Sequence, residues 1–312
     1  MRILILGAGA LGGYFGGRLH QAGLDPSFLV RPGRAAILAR DGLKITSSLG
    51  DYQAKVSTIT HENLQPGWDV VLLTCKAYDL AEAIETIRPA VDSSTAIIPV
   101  LNGISHIEAL QRSFGAERVL GGFAKIQASL APDGTIRHLN DWRWLTFGEV
   151  AGGMGARVER IAAAFSAAPG MAATAAPNIM AQMWEKLVHL GTSAVCTVLM
   201  RANVGEIARA PGGIAFMHGI LDANAAIAAA EGFPVGDAFM QQYRGVFGDS
   251  VSTYTASMLR DLEAGGRIEA DHILGFLLEA ARRHGLPSSL HEAAYLHAKA
   301  YEQRRDAKRL AK

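Results

Sequence analysis

The chain has 312 residues, of which 49% are hydrophobic and 19% charged. That is apolar material for about two packed domains, and it excludes a disordered, solvating polypeptide. Lys and Arg total 30 against 29 Asp and Glu, so no bulk charge draws the chain to nucleic acid or an anionic membrane, and any bound anion needs a local constellation. Two cysteines, Cys75 and Cys196, form neither a disulfide framework nor a cysteine-rich metal site. The apolar start breaks at Gly7, which is too short for a secretory or spanning segment. No later run is read as about 18 uninterrupted apolar residues, so no membrane partner is expected and the expected location is cytoplasmic.

In chain order, Arg2–Leu6 reads as a buried strand, Leu11–Ala22 as a helix and Ser27–Val30 as a second strand. Val70–Thr74 and Ala96–Leu101 are further strand-like runs, with a helical pattern over Asp79–Arg88 between them. This alternation predicts βαβ units and a parallel sheet. Val119–Ser129, a turn at Pro132-Asp133-Gly134, Ile136–Leu139 and Trp144–Phe147 read as an antiparallel addition. A helix near Val158–Ala168 and an extended piece near Met171–Ala175 complete this half. After Pro177 the strand-like runs stop. Helical patterns follow over Ile179–Met200, Gly213–Glu231, Ala238–Phe247, Thr255–Glu263, Ala270–His284 and Ser288–Arg304. The expected fold is therefore α/β, a Rossmann-type dinucleotide-binding domain over residues 1–176, followed by an all-helical domain over 177–312.

Glycine is over-represented, 34 residues against a usual share of ~7%. Three of these glycines carry a chemical argument. Gly7-Ala8-Gly9-Ala10-Leu11-Gly12 is G-x-G-x-x-G, directly after a predicted strand and opening a predicted helix. In that context the first glycine allows a tight turn, the second a close backbone approach to a pyrophosphate, and the third close helix–strand packing. The helix N-terminus adds unpaired N–H groups for the phosphates. At the end of the second strand an NAD site usually carries Asp or Glu. Here Val30-Arg31-Pro32-Gly33-Arg34 offers arginines instead, and Arg31 is the candidate for a 2′-phosphate, which points to NADP. Lys76 and Asn102 each follow a parallel strand, where open sheets bind ligands. Lys186 lies in the first long helix with Leu190, Ser193, Ala194 and Thr197 on a shared face; helix logic alone favours reading it as an edge lysine paired with Glu185 or Gln182.

With these residues in place the chain resembles the ketopantoate reductase (2-dehydropantoate 2-reductase) family nearly end to end. The signatures are Gly7–Gly12, Arg31, Thr74-Cys75-Lys76-Ala77, Leu101-Asn102-Gly103, Trp184-Glu185-Lys186-Leu187, Val204-Gly205-Glu206-Ile207, Ser257–Leu262 and Glu269-Ala270-Asp271. The resemblance implies NADPH-dependent reduction of a 2-oxo acid, a step of pantothenate biosynthesis where the substrate is ketopantoate. It implies Lys186 as general acid, Lys76 and Asn102 at the nicotinamide end and the reacting carbonyl, and Glu269 on cofactor hydroxyls or on the lysine. Ser257 would take the substrate carboxylate and Ala128 a backbone contact to the cofactor. Asparagines usual in the family are replaced by Leu190, Ala194, Val204 and Tyr254, which implies a more apolar substrate pocket. A hydroxyacid or opine-type dehydrogenase of the same plan and a non-catalytic NADPH-binding sensor are the competing readings. No metal site is expected, and a homodimer is left open.

Overall fold

The computed structural model describes residues 1–310. It comprises two compact units, one of residues 1–101 and 106–179, the other of residues 102–105 and 180 onward.

The first unit runs β1 (Ile3–Leu6), α1 (Ala10–Gln21), β2 (Ser27–Leu29), α2 (Pro32–Asp41), β3 (Leu43–Thr46), β4 (Tyr52–Ala54), β5 (Ser57–Ile59), β6 (Val70–Leu73), α3 (Leu80–Ile87), β7 (Ala96–Pro99), α4 (His106–Phe114), β8 (Leu120–Leu130), β9 (Ile136–Glu149), α5 (Ala156–Phe165) and β10 (Ala172–Ala175). Five strands form a parallel sheet in the order β5-β2-β1-β6-β7. Its strands are apolar on both faces because both faces are covered. Ile3, Ile5, Val70, Leu72 and Ile98 point into a core completed by Phe15 and Leu19 of α1 and by Leu145 and Phe147 of β9. The alternate residues Leu4, Val71, Leu73 and Ile97 meet Leu80, Ile84 and Ile87 of α3, Leu110 of α4 and Trp68. This two-residue alternation is the period of a strand. Each such aliphatic side chain, fully buried, contributes about 1.5–3 kcal/mol of transfer free energy.

The expected antiparallel addition belongs to a separate second sheet, β10-β9-β3-β4, with β8 paired to β9. The two strand-like runs after the turn are one strand. Leu139–Trp142 do not end it, because β9 accommodates them opposite Gln127 as an irregularity in the ladder. Asn140 donates to Gln127 Oε1 and accepts from the Trp142 N–H there. Five elements of this unit lie beyond the sequence reading: α2, α4 and the short strands β3, β4 and β5. α2 opens on Arg31 as N-cap with Pro32 in its first turn, a start signal hidden inside what reads as a loop.

The second unit, among the described residues, contains helices only: α6 (Ile179–Met200), α7 (Val204–Arg209), α8 (Gly213–Ala230), α9 (Asp237–Gly248), α10 (Ser257–Glu263), a π-turn (Asp271–Gly275), α11 (Phe276–Arg283) and α12 (Ser289–Asp306). A buried polar chain ties three of them. Asn224 of α8 donates to Thr192 Oγ1 of α6 at 3.0 Å, and its carbonyl oxygen meets His291 Nε2 of α12 at 2.8 Å. Burial pushes the His291 pKa down. α8 is long and apolar enough by length and composition to cross a bilayer. Yet it carries His218, Asp222 and this buried Asn224, and its Met217, Ile220, Leu221 and Ile227 are packed inside the unit.

Candidate active site

The glycine-rich turn links β1 to α1. Gly7 adopts φ +92°, a conformation that excludes most side chains. A Cβ on Gly12 would lie 2.3 Å from Gly7 O and 2.5 Å from Thr74 Oγ1. Thr74 in turn donates to Leu6 O at 2.7 Å, binding the top of β6 to that of β1. Gly9, the N-cap of α1, differs. A Cβ there would meet nothing within 4 Å, so its missing side chain leaves open space over the helix N-terminus. Tight internal contacts at Gly12 and empty space at Gly9 are the arrangement a bound pyrophosphate requires. Ala8, Ala10 and Leu11 lie in the same turn and first helical positions.

The two arginines after β2 have separated roles. Arg34 is half-buried and donates to Ala8 O at 2.9 Å and Gly134 O at 3.2 Å, so it braces the turn from within. Arg31 projects outward, its side chain 80% exposed, and pairs with the 62% exposed Glu82 at 2.7 Å. Glu82 also raises the Arg31 pKa, chiefly through that hydrogen bond. Lys76 is exposed, three residues beyond β6, and opens a short 3-10 turn over Ala77–Asp79. Ala128 is half-buried on β8 directly after the ladder irregularity and opposite His138, whose ring packs 4.5 Å from Tyr14 of α1.

The second unit gathers Asn102, Lys186 and Glu269. Lys186 Nζ donates to Asn102 Oδ1 at 3.2 Å, and Asn102 Nδ2 donates to Glu269 Oε2 at 3.3 Å. The asparagine amide thus reads both charged groups at once, which fixes its orientation. Gly103 makes this possible, with φ +86° and a Cβ position only 2.7 Å from His272 O. The Asn102-Gly103 turn therefore sits directly against the backbone of the π-turn that follows Glu269. Wide turns of this kind recur at functional positions. Glu269 is 5% exposed. Burial lowers the Lys186 pKa to about 8, with the Glu269 charge acting in the opposite sense. A cation that releases its proton near neutrality is suited to general acid work.

The remaining expected substrate residues divide. Ser257 is the first residue of α10 and half-buried. Leu190 is half-buried, whereas Ala194 is 2% and Val204 0% exposed. Those two are packing residues and present no surface to a ligand, which corrects the wider apolar pocket expected. Asn203 is engaged in a capping box on α7. It accepts from Glu206 N–H, and its own N–H donates to the Glu206 carboxylate, both at 2.8 Å. The Gly205-Glu206 signature is thereby accounted for structurally. His189, which the sequence reading missed, meets Tyr254 Oη through Nε2 at 3.1 Å. Its signal was present as the i+3 spacing from Lys186.

A nucleotide-binding turn beside one unit's parallel sheet, and a lysine of lowered pKa held by amide and carboxylate in the other, define a dinucleotide-dependent oxidoreductase. Residues 3–152 match the family model described as Ketopantoate reductase PanE/ApbA, and residues 178–302 match that described as Ketopantoate reductase PanE/ApbA C terminal. The chain belongs to the ketopantoate reductase family. It is 34% identical over 304 residues to the uncharacterized oxidoreductase YkpB of Bacillus subtilis, covering 97% of this chain and 99% of that one. It is 29% identical over 291 residues to the 2-dehydropantoate 2-reductase of Halobacterium salinarum, covering 92% and 94%. The crystal structure of 2-dehydropantoate 2-reductase from Methylococcus capsulatus superposes with a TM-score of 0.87 at 29% identity, covering 98% of both chains. A D-mandelate dehydrogenase at 20% identity shares the fold, with a TM-score of 0.86.

Proposed function

We propose that this protein reduces a 2-oxo acid to the 2-hydroxy acid with NADPH, on ketopantoate or on a relative with a more apolar side chain. The observation that carries the reading is the Lys186–Asn102–Glu269 cluster, in a chain that also holds the dinucleotide turn. The turn from Gly7 to Gly12 would hold the pyrophosphate, with Arg31 on the 2′-phosphate, and Lys76 and Ala128 further along the cofactor. When bound, the reduced nicotinamide would supply the hydride for the carbonyl carbon. Lys186 Nζ holds the carbonyl oxygen, stabilises the charge developing on it and gives up its proton to it, leaving a neutral amine. Asn102 keeps the ammonium aimed, and Glu269 balances its charge. Ser257 would take the substrate carboxylate. Free thiols at Cys75 and Cys196 fit work in the cytoplasm.

The test is NADPH consumption across a panel of 2-oxo acids, with wild type and Lys186→Ala in parallel. Removing a positioned general acid is expected to lower turnover by about 10²–10⁴-fold, with NADPH binding within a few-fold of wild type. Near-normal turnover in the variant would overturn the mechanism. No consumption with any 2-oxo acid would overturn the reading.

A further inference from the structure

His189 and Leu190 follow Lys186 by one helical turn on α6, so they share the lysine's side of the helix. The His189 imidazole lies nearly parallel to two tyrosine rings. Tyr243 is 4.5 Å away at 27°, and Tyr254 is 5.7 Å away at 25°. Phe239 and Phe247 back the Tyr243 ring at 4.5 and 6.4 Å. The backbone of Tyr254 is equally fixed. Its carbonyl accepts from the Val204 N–H at 3.0 Å, and Ser252 O accepts from Gly205 N–H at 3.0 Å. A Cβ on Gly205 would come within 2.4 Å of Ser252 O, so this docking tolerates little else. Leu190, His189, Tyr243 and Tyr254 are all partly open to solvent.

We propose that the Tyr254–His189–Tyr243 stack is the subsite for the substrate side chain, and that it selects planar aromatic 2-oxo acids over hydroxylated aliphatic ones. This rests on the reductase reading above. Two physical terms act in the same direction. A planar ring laid against Tyr254 extends an existing offset stack, worth roughly two- to tenfold per ring pair beyond simple burial. An aliphatic hydroxyl placed there loses water and finds a phenol already bonded to His189. A polar group buried without a partner weakens binding strongly. Tyr254 is thus a specificity residue, and His189 is a positioning residue that acts through it.

The experiment measures kcat/KM for phenylglyoxylate, phenylpyruvate, ketopantoate and 2-oxobutanoate, in wild type, Tyr254→Asn and Tyr254→Phe. Wild type should favour the aromatic acids over ketopantoate by at least about tenfold. In Tyr254→Asn this ratio should fall by at least about tenfold, mostly through KM, because the amide can bond a hydroxyl and the ring is gone. Tyr254→Phe keeps the ring and should hold the ratio within roughly threefold. His189→Leu, read by the same ratio, replaces Tyr254→Asn if that variant does not fold. A wild type that favours ketopantoate, or a ratio unmoved in Tyr254→Asn, would overturn the proposal while leaving the reductase reading intact. Absence of NADPH consumption with all four acids and the wider panel would remove the reading itself, and the proposal with it.

Discussion

Lys186 is a half-buried cation whose proton is held loosely, and the sign of that shift sets a pH dependence. Burial lowers its pKa to about 8 from the usual 10.5, so the ammonium is the dominant form below pH 8 and the free amine above it. In the proposed mechanism, reduction consumes a proton from the ammonium. Its kcat/KM is therefore expected to be level below about pH 8 and to fall roughly tenfold by pH 9, while oxidation of the hydroxy acid, which needs the amine as base, rises over the same interval. A pH–rate profile in both directions measures this, and parallel limbs for the two directions would refute it. Arg31 makes a second prediction at this scale. Its partner Glu82 is exposed, and such a surface pair is worth at most about 1 kcal/mol, which a 2′-phosphate can displace. Arg31→Ala is expected to weaken NADPH by about tenfold or more and NADH by less than about threefold. Fluorescence titration with both cofactors decides it; equal losses would mean that Arg31 does not read the phosphate. Both residues stand out in the sequence, Lys186 through its motif and Arg31 through its place at the strand end, and the structure gives their surroundings: Lys186 beside Asn102 and Arg31 paired with Glu82. The ring stack around His189 was not, because Tyr243 and Tyr254 come from distant segments that only the fold brings to α6.

The turn into α1 shows how one motif divides its work among its glycines. Gly12 is closed in by Gly7 O and Thr74 Oγ1, whereas the space at Gly9 is open. Gly12→Ala is expected to cost about 1–3 kcal/mol of folding stability through overpacking, and cofactor affinity with it. Gly9→Ala should leave the thermal midpoint nearly unchanged and weaken NADPH by at least about tenfold, since its methyl group stands where a phosphate must approach. Thermal melts and cofactor titrations of the two variants separate these effects; a Gly9→Ala protein that binds NADPH normally would contradict the assignment. Other elements were less readable. α6 coincides with its sequence pattern, Ile179–Met200, because a long apolar-rich run without proline, with Gly191 its single glycine, leaves little ambiguity. α7, six residues long, was invisible as a helix. Its capping box was readable as Asn203-x-x-Glu206, but the run Val204-Gly205-Glu206-Ile207 reads as a family signature rather than as punctuation.

For the molecule as a whole, the nearly neutral composition proved compatible with strong local electrostatics. An arginine at the nucleotide end and a lysine-carboxylate cluster in the helical unit need no net charge. The order of strands and helices was enough to anticipate the parallel sheet, since alternating apolar runs leave few ways to cover both faces. β3 and β4 of the second sheet and β5 at the edge of the first escaped, because they are short and half-exposed and acquire strand character only from the neighbours they pair with. One consequence concerns the way the chain is partitioned. Residues 102–105 group with the helical unit although they stand between β7 and α4 in sequence. A gene fragment beginning at residue 180 would therefore encode the helices but not Asn102. It would release a lysine and a carboxylate that have lost the amide joining them, so this three-residue cluster cannot be cut out as a contiguous module or transplanted by a single crossover.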